Sequence, residues 1–203
     1  MRTGSAHRPA VFLDRDDTLI VNRAITAGTA HPGSLFDPGL VRLMPGAAKA
    51  CALLHGAGFV LVVVTNQGCV ARGECTIAQV EATNARVREI VRAESGVSLD
   101  AVYFCPYHPK GSVAPYNVEH PWRKPQPGMI LAAANDLGLD LASSWMIGDA
   151  QRDIDAAVSA GIDARRALLV GDDAPGSTPV LLATMLDAAE YVLAESGRAR
   201  LGD

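Results

Sequence analysis

Apolar residues fall along this chain in short unbroken runs, with helical spacing in the segments between them. Ala10 to Leu13 is the first run, and Phe59 to Val64, F-V-L-V-V-V, is strongly β-branched. Runs of this kind suit strands buried on both faces, as in a parallel sheet; a half-exposed strand would alternate. Further strands are expected over Leu99–Cys105, Ser144–Ile147 and Arg166–Val170, with Val180–Ala183 a short last one. Ala47, Ala50, Leu53 and Leu54 mark a helix from Pro45-Gly46 to about Ala57, which Gly56 and Gly58 bring to an end. Thr76 is placed to cap a long helix that stops at Gly96. Other helices are expected over Gly128–Leu137, through Asp153 to Ala160, and over Leu186–Glu195. The alternation predicts an α/β fold, a doubly wound, Rossmann-like parallel sheet with helices on both faces.

Two segments interrupt this rhythm. Residues 21–38 are rich in Gly, Pro, His, Thr and Ala. Residues 106–127 are proline-rich and hold Tyr107, His108, Tyr116, His120, Trp122 and the basic pair Arg123-Lys124. Connections of that length in an α/β domain tend to be lids or binding loops. The first follows directly on the Ala10–Leu13 strand, so it is placed to cover whatever binds there, with Asn22 and Arg23 as its nearest polar side chains.

Polar residues collect where the strands end. Asp14, Asp16 and Asp17 follow the first strand, and Thr65-Asn66-Gln67 the second. Gly148-Asp149 follows a later one, with Asp153 one helical turn on. Ligands of open α/β sheets bind beyond the carboxyl ends of the strands, so Asp14, Asp16, Thr65, Asn66, Lys124, Asp149 and Asp153 belong to one site, while Asp17 reads as a turn carboxylate and not a ligand. Carboxylates packed this closely repel one another, and a bound cation offsets the repulsion. For a phosphate monoester the chemistry is then complete. Asp14 and Asp149 supply carboxylates, and the Asp16 backbone carbonyl a third oxygen, for Mg²⁺. Asp14 can attack phosphorus, while Asp16 gives a proton to the leaving alkoxide and later takes one from water. Thr65 and Lys124 face the developing phosphoryl charge, and Arg123 can grip the far end of the substrate.

Four motifs in this order, D-R-D-D-T, V-T-N-Q, R-K-P-x-P-G-M and I-G-D-x-x-x-D, resemble those of the haloacid dehalogenase superfamily. V-T-N-Q-x-x-x-A-R-G and C-P-x-H-P-x-G narrow the resemblance to its heptose 1,7-bisphosphate and histidinol-phosphate phosphatase branch, over about residues 9–171. The resemblance implies Asp14 as nucleophile, Asp16 as acid and base, and Asp14, Asp16 and Asp149 around Mg²⁺. It also implies Thr65 and Lys124 as phosphate stabilisers, with Arg123 and the Asn22 region recognising substrate. The branch has no large cap domain; loops shape its pocket. Asn22, Arg23, Asn66 and Gln67 are the further substrate-binding candidates, and Asp153 is expected behind the metal site, orienting a water or Lys124.

Three departures stand out. Asp17 occupies the usual glycine position, so either the turn does not need a positive φ or aspartate adopts one. T-A-G-T-A-H-P-G-S replaces the branch's N-x-D-x-G-Y. The structural zinc ligands of the branch, C-x-H and C-x-C, are here Cys105, Tyr107, His120 and Trp122. Cys105, His108 and His120 leave one ligand too few for a structural zinc, so packing of Tyr107, Tyr116 and Trp122 is the favoured way to hold the loop.

Composition bounds the rest. A chain of 203 residues, 49% apolar, suits a single phosphatase domain with loop insertions, and residues 1–8 and 198–203 read as frayed ends. A net charge of −4 shows no basic footprint for nucleic acid. No apolar run is long enough to span a bilayer, and M-R-T-G-S-A-H-R-P lacks the apolar core expected of a signal peptide. Four cysteines in this length are expected to be reduced thiols of a cytoplasmic protein, which we expect to be a monomer. The expected substrate is a small phosphorylated sugar, foremost D-glycero-D-manno-heptose 1,7-bisphosphate. The near rival is histidinol phosphate or another small phosphomonoester. The distant rival is a non-catalytic phosphometabolite-binding protein, against which an acid placed two residues from a nucleophile argues.

Overall fold

Six strands form one parallel sheet: β1 (Ala10–Leu13), β2 (Val60–Asn66), β3 (Ala101–Cys105), β4 (Trp145–Gly148), β5 (Ala167–Val170) and β6 (Leu181–Leu182). Their order is β3-β2-β1-β4-β5-β6. The computed structural model describes residues 8–171 and 180–197. The helices are α1 (Arg23–Thr26), α2 (Ala47–Gly56), α3 (Cys69–Arg72), α4 (Ile77–Ser95), α5 (Gly128–Leu137), α6 (Gln151–Ala160) and α7 (Met185–Glu195). This is the doubly wound α/β fold that the pattern predicts.

Every residue of β1 is buried, and the period of two divides them between the faces. Val11 and Leu13 pack with Leu54 of α2, Val87 and Val91 of α4, and Val192 of α7. Ala10 and Phe12 pack on the other side with Met129 and Ile130 of α5 and Ile154 and Ala157 of α6. Fully burying a side chain such as Phe12 or Leu13 stabilises the fold by about 1.5–3 kcal/mol. That anchoring holds the end of β1 in place, although acid follows it at once.

From β1 the chain fills one side of the sheet, β2 then β3, and only then crosses β1 to enter β4. The strand order therefore reverses between β1 and β4, which opens a crevice at their carboxyl ends.

Several boundaries move. β2 runs on to Asn66, because Thr65 and Asn66 pair with Phe104 and Cys105 of β3. β3 begins at Ala101, later than expected. Residues 21–38 are not wholly irregular, since α1 lies within them. The single turn α3 is also new: four residues are too few to show a period, and Gly73 ends it at φ 75°. Thr76 caps α4 as expected, reciprocally with Gln79, which contributes about 0.5–2 kcal/mol. Arg8 pairs with Leu139; the remaining expected frayed ends, 1–7 and 198–203, lie outside the described residues. Among the described residues no helix is long and apolar enough to cross a membrane.

Candidate active site

The crevice holds a buried cluster of charge. Asp14 leaves β1 at its carboxyl end, Asp149 follows β4, and Asp153 sits in the first turn of α6. One carboxylate oxygen from each lies within 4.8 Å of the others. Lys124 enters from the proline-rich loop and is 2% exposed. Its Nζ lies 2.5 Å from Asp14 Oδ1 and 2.7 Å from Asp153 Oδ1, and donates to the Val64 carbonyl at 2.7 Å. Burial works against the charge of Lys124, but Asp14 and Asp153 outweigh it and hold the ammonium above its ordinary pKa. Asp153 also accepts the Ala150 N–H at 3.1 Å, which fixes it at the start of α6. Gly148 makes room for it, since a Cβ there would lie 2.5 Å from Asp153 Cβ.

Asn66 positions the lysine through the backbone. Its Nδ2 donates to the Lys124 carbonyl and its Oδ1 accepts the Lys124 N–H, each at 3.0 Å. Both ends of its amide are therefore spent on Lys124. Gln67 Nε2 donates to Asp16 Oδ2 at 2.8 Å and to Thr65 Oγ1 at 2.9 Å, and the Thr65 hydroxyl lies 3.4 Å from Asp16 Oδ2. Asp16 is thus oriented toward Thr65, and its side chain stands apart from the three-carboxylate cluster.

Arg15, between the two motif aspartates, is fully buried. It donates to Asp16 Oδ1 through Nη2 at 2.9 Å and Nε at 3.1 Å, to Asn84 of α4 at 2.9 Å, and to the Leu35 carbonyl at 3.1 Å. One guanidinium therefore ties the acid to a helix and to the 21–38 segment. Burial, reinforced by Asp14, raises the Asp16 carboxyl above its ordinary pKa against the pull of Arg15. A carboxyl so raised suits proton donation.

Asp17 adopts φ 58°, so aspartate takes the left-handed conformation that glycine usually supplies. Its carboxylate accepts the N–H groups of Asn22 and Arg23 at 2.9 and 3.0 Å and pairs with Arg23 Nε at 2.9 Å. Arg23 reaches on to Asp149 Oδ2. Asn22 is buried, and its Nδ2 donates to the Gly33 carbonyl at 3.0 Å, so its amide nitrogen holds the loop.

A cavity of about 530 Å³ opens above these groups. Arg23, Arg72, Arg123 and Arg152 line it, with Asp16, Asn66 and Asp149. Arg123 also donates to the Tyr107 carbonyl at 3.2 Å. Arg72 bonds Glu74 at 2.7 Å and Ser34 at 3.0 Å, so it has a structural task as well as a place in the wall. Asp149 Oδ1 is buried without a hydrogen-bond donor, and Arg152 Nη2 is 3.8 Å away. Burial, with Asp14 and Asp153 beside it, pushes the Asp149 carboxyl up to about 7. Arg15 and Arg152 were not singled out by sequence. An arginine wedged between two motif aspartates was the available signal for the first; Arg152 gave none.

In the proline-rich loop the His120 ring lies flat on Tyr107, centroids 4.0 Å apart. Its Nδ1 accepts the Trp122 N–H at 3.1 Å, and His108 Nδ1 accepts the Lys110 N–H at 3.0 Å. Tyr116 meets Tyr107 at 5.5 Å, and Trp122 meets Tyr103 edge-on at 5.9 Å.

The fold and site define a class: a Rossmann-like α/β protein with an aspartate–lysine centre at the switch point of its sheet, suited to phosphoryl chemistry. Comparison with known proteins narrows it. The HAD-hydrolase-like family model matches residues 121–174. A D-glycero-beta-D-manno-heptose-1,7-bisphosphate 7-phosphatase of Yersinia pestis is 42% identical over 154 residues, 76% of this chain and 77% of that one. A D-glycero-D-manno-heptose-1,7-bisphosphate 7-phosphatase of Thermosynechococcus vestitus is 45% identical over 157 residues, 76% of each chain. The crystal structure of a D,D-heptose 1,7-bisphosphate phosphatase from B. bronchiseptica, complexed with magnesium and phosphate, superposes with a TM-score of 0.71 at 27% identity. That match covers 92% of this chain and 99% of the other. The chain belongs to the haloacid dehalogenase superfamily, in the branch that holds these heptose-bisphosphate phosphatases.

Proposed function

We propose that the chain, as a single domain, is a Mg²⁺-dependent phosphatase that removes the C7 phosphate of D-glycero-D-manno-heptose 1,7-bisphosphate. What supports the substrate is the 42% identity to the Yersinia enzyme across three quarters of both chains, together with the four motifs in sequence order. What supports the metal is local. Three carboxylates converge, and Asp149 Oδ1 is buried with no donor, an environment that suits a hard cation. Held by Asp14, Asp149 and the Asp16 backbone carbonyl, Mg²⁺ supplies Lewis acidity toward a phosphoryl oxygen and offsets the repulsion among the acids.

The side chains divide the remaining work. Asp14 attacks phosphorus, so an Asp14–phosphorus bond forms as the bond to the C7 oxygen breaks. Asp16, held by Arg15 and Gln67, gives its proton to that oxygen. It then takes a proton from the water that attacks the aspartyl-phosphate, and Asp14 and inorganic phosphate are released. The Thr65 hydroxyl donates to the phosphoryl oxygens, and the Lys124 ammonium, whose N–H groups meet Asp14, Asp153 and the Val64 carbonyl, offsets their charge from beside the nucleophile. Asp153 keeps Lys124 charged and aimed. Arg123, with Arg72 and Arg152 on the same wall, receives the other phosphate. The loop that holds zinc in the branch is here held by stacked rings. The same reading makes the protein a cytoplasmic monomer with no nucleic-acid or membrane partner.

Phosphate release from both heptose bisphosphate anomers and from histidinol phosphate, with Mg²⁺ and with EDTA, tests this. Rapid Mg²⁺-dependent release from a heptose bisphosphate is expected. Faster release from histidinol phosphate moves the substrate to the near rival, and silence across the panel with ligand binding intact refutes an enzyme.

A further inference from the structure

Two cysteines meet between the cavity and its neighbour, and the chemistry above uses neither. Cys69 opens α3, and Cys75 directly precedes Thr76, the cap of α4. Gly73, at φ 75°, turns the chain back so that the second cysteine faces the first. Their Sγ atoms lie 2.7 Å apart. About 0.7 Å of approach separates that contact from a disulfide bond of ~2.05 Å. We propose that Cys69 and Cys75 form a reversible disulfide, a modification site set between the cavity over the sheet and its neighbour.

Access comes from two sides. Cys69 lines the cavity that holds Asp16 and Asp149. Cys75 lines a second cavity, of about 500 Å³, bounded by Val70, Thr76 and Tyr116. A small oxidant therefore reaches the pair although both side chains are largely buried.

The surroundings assign the roles. The Cys75 thiol donates to Cys69, and Arg15 and Arg72 add positive charge; together they hold Cys69 below the ordinary thiol pKa against its burial. Cys75 is raised by that same contact and by burial. Of the two, Cys69 is thus the more readily ionised. With hydrogen peroxide as oxidant, Cys69 sulfur attacks a peroxide oxygen, the O–O bond breaks, and Cys69 sulfenic acid and one water form. Cys75 sulfur then attacks Cys69 sulfur and displaces the hydroxyl, which leaves as a second water with the Cys75 proton. Two thiols and one peroxide become one disulfide and two waters. A dithiol reductant reverses the step by exchange. The other thiols lack these features. Burial pushes Cys51 up to about 12 and raises Cys105, whose sulfur faces the Tyr107 carbonyl.

The test is direct mapping on the full native chain. The protein is treated with equimolar hydrogen peroxide, alkylated and digested with trypsin. Trypsin cuts after Arg72, so the two cysteines leave on separate peptides unless a disulfide joins them. The expected result is the joined Cys69–Cys75 pair, with titratable thiols falling from the chain's four to two and dithiothreitol restoring them. In Cys75→Ser, and in Cys75→Ala as a second variant, the link is absent and Cys69 is trapped as sulfenic acid by dimedone. Four intact thiols after peroxide, or a disulfide mapped to any other pair, overturns the proposal. Because the readout is a mapped bond, it stands apart from whether the cavity hydrolyses a phosphate.

Discussion

Among the described residues Lys124 is the cation in contact with both Asp14 and Asp153, and the consequences of replacing it by methionine can be worked from the contacts. The side chain keeps nearly the same length, so the change is mainly one of charge. It leaves Asp14 and Asp153 without their 2.5 and 2.7 Å partner, the Val64 carbonyl without its donor, and Asp149 as a third carboxylate within 4.8 Å. Breaking a buried pair from one side costs about 3–5 kcal/mol, because the abandoned charge remains buried. In a domain of this size each kcal/mol moves Tm by about 2–4 °C, so Lys124→Met is expected to melt roughly 6–20 °C lower in EDTA. Adding Asp153→Asn removes one of the stranded charges, so the double variant melts above Lys124→Met alone. Circular dichroism melts of the four proteins of this cycle are the assay. On the proposed mechanism, losing a fixed positive charge beside the nucleophile is expected to lower kcat by about 10²–10³-fold. A Tm loss under about 2 °C refutes the reasoning. So does a double variant no more stable than the single one, since the cost would then lie outside the ion pair.

Asp14→Asn is expected to abolish phosphate release, on the order of 10³-fold or more, while the circular dichroism spectrum stays that of the wild type. Gly148→Ala places a Cβ 2.5 Å from Asp153, so it is expected to destabilise by about 1–3 kcal/mol in urea unfolding and to slow turnover by displacing the partner of Lys124. Asp149 sets a pH dependence. Its folded pKa of about 7 lies above the carboxylate value of 3.8, and Asp16 shifts the same way. Across that window the folded metal-free protein holds protons that the unfolded chain has released. This contribution to stability is full below about pH 4 and is lost as pH rises through about 7. Thermal melts in EDTA should therefore give a higher Tm at pH 5.5 than at pH 8, and Mg²⁺, which favours the ionised carboxylates, should reverse that order; equal EDTA values contradict the shift.

The strands that carry Asp14, Thr65 and Asp149 were legible because each is a buried apolar run that stops in polar residues. Burial on both faces leaves that signature in a single stretch of chain. Arg15 left none of this kind. Arginine reads as a surface residue, and what makes it a buried one lies far along the chain, at Asn84 and at the Leu35 carbonyl. Asn66 was legible as a site residue but not in its task, since its partner Lys124 comes 58 residues later. Asp153 was legible in more of its task. Its spacing from Asp149 placed it behind the metal site, toward a water or Lys124; the structure shows the lysine contact, and only the choice between the two depended on how two loops meet. Short turns escape for a different reason: α3 has four residues, barely more than one helical period.

Two of the departures from the branch pattern are one change. A left-handed turn costs a residue other than glycine about 1–2 kcal/mol, and aspartate is among the residues that tolerate it best. Here the side chain that incurs the strain also offsets it. The Asp17 carboxylate accepts two successive N–H groups at the start of α1 and holds the Arg23 side chain. A glycine at this position relaxes the turn but leaves the beginning of the 21–38 segment without its anchor. The segment that replaces N-x-D-x-G-Y therefore needs a carboxylate at residue 17. That carboxylate also places Arg23 against Asp149, which brings the loop to the edge of the three-carboxylate cluster. Of the three aspartates that follow β1, Asp14 and Asp16 carry the proposed chemistry, and Asp17 fixes the loop whose Asn22, Arg23 and Ser34 line the cavity.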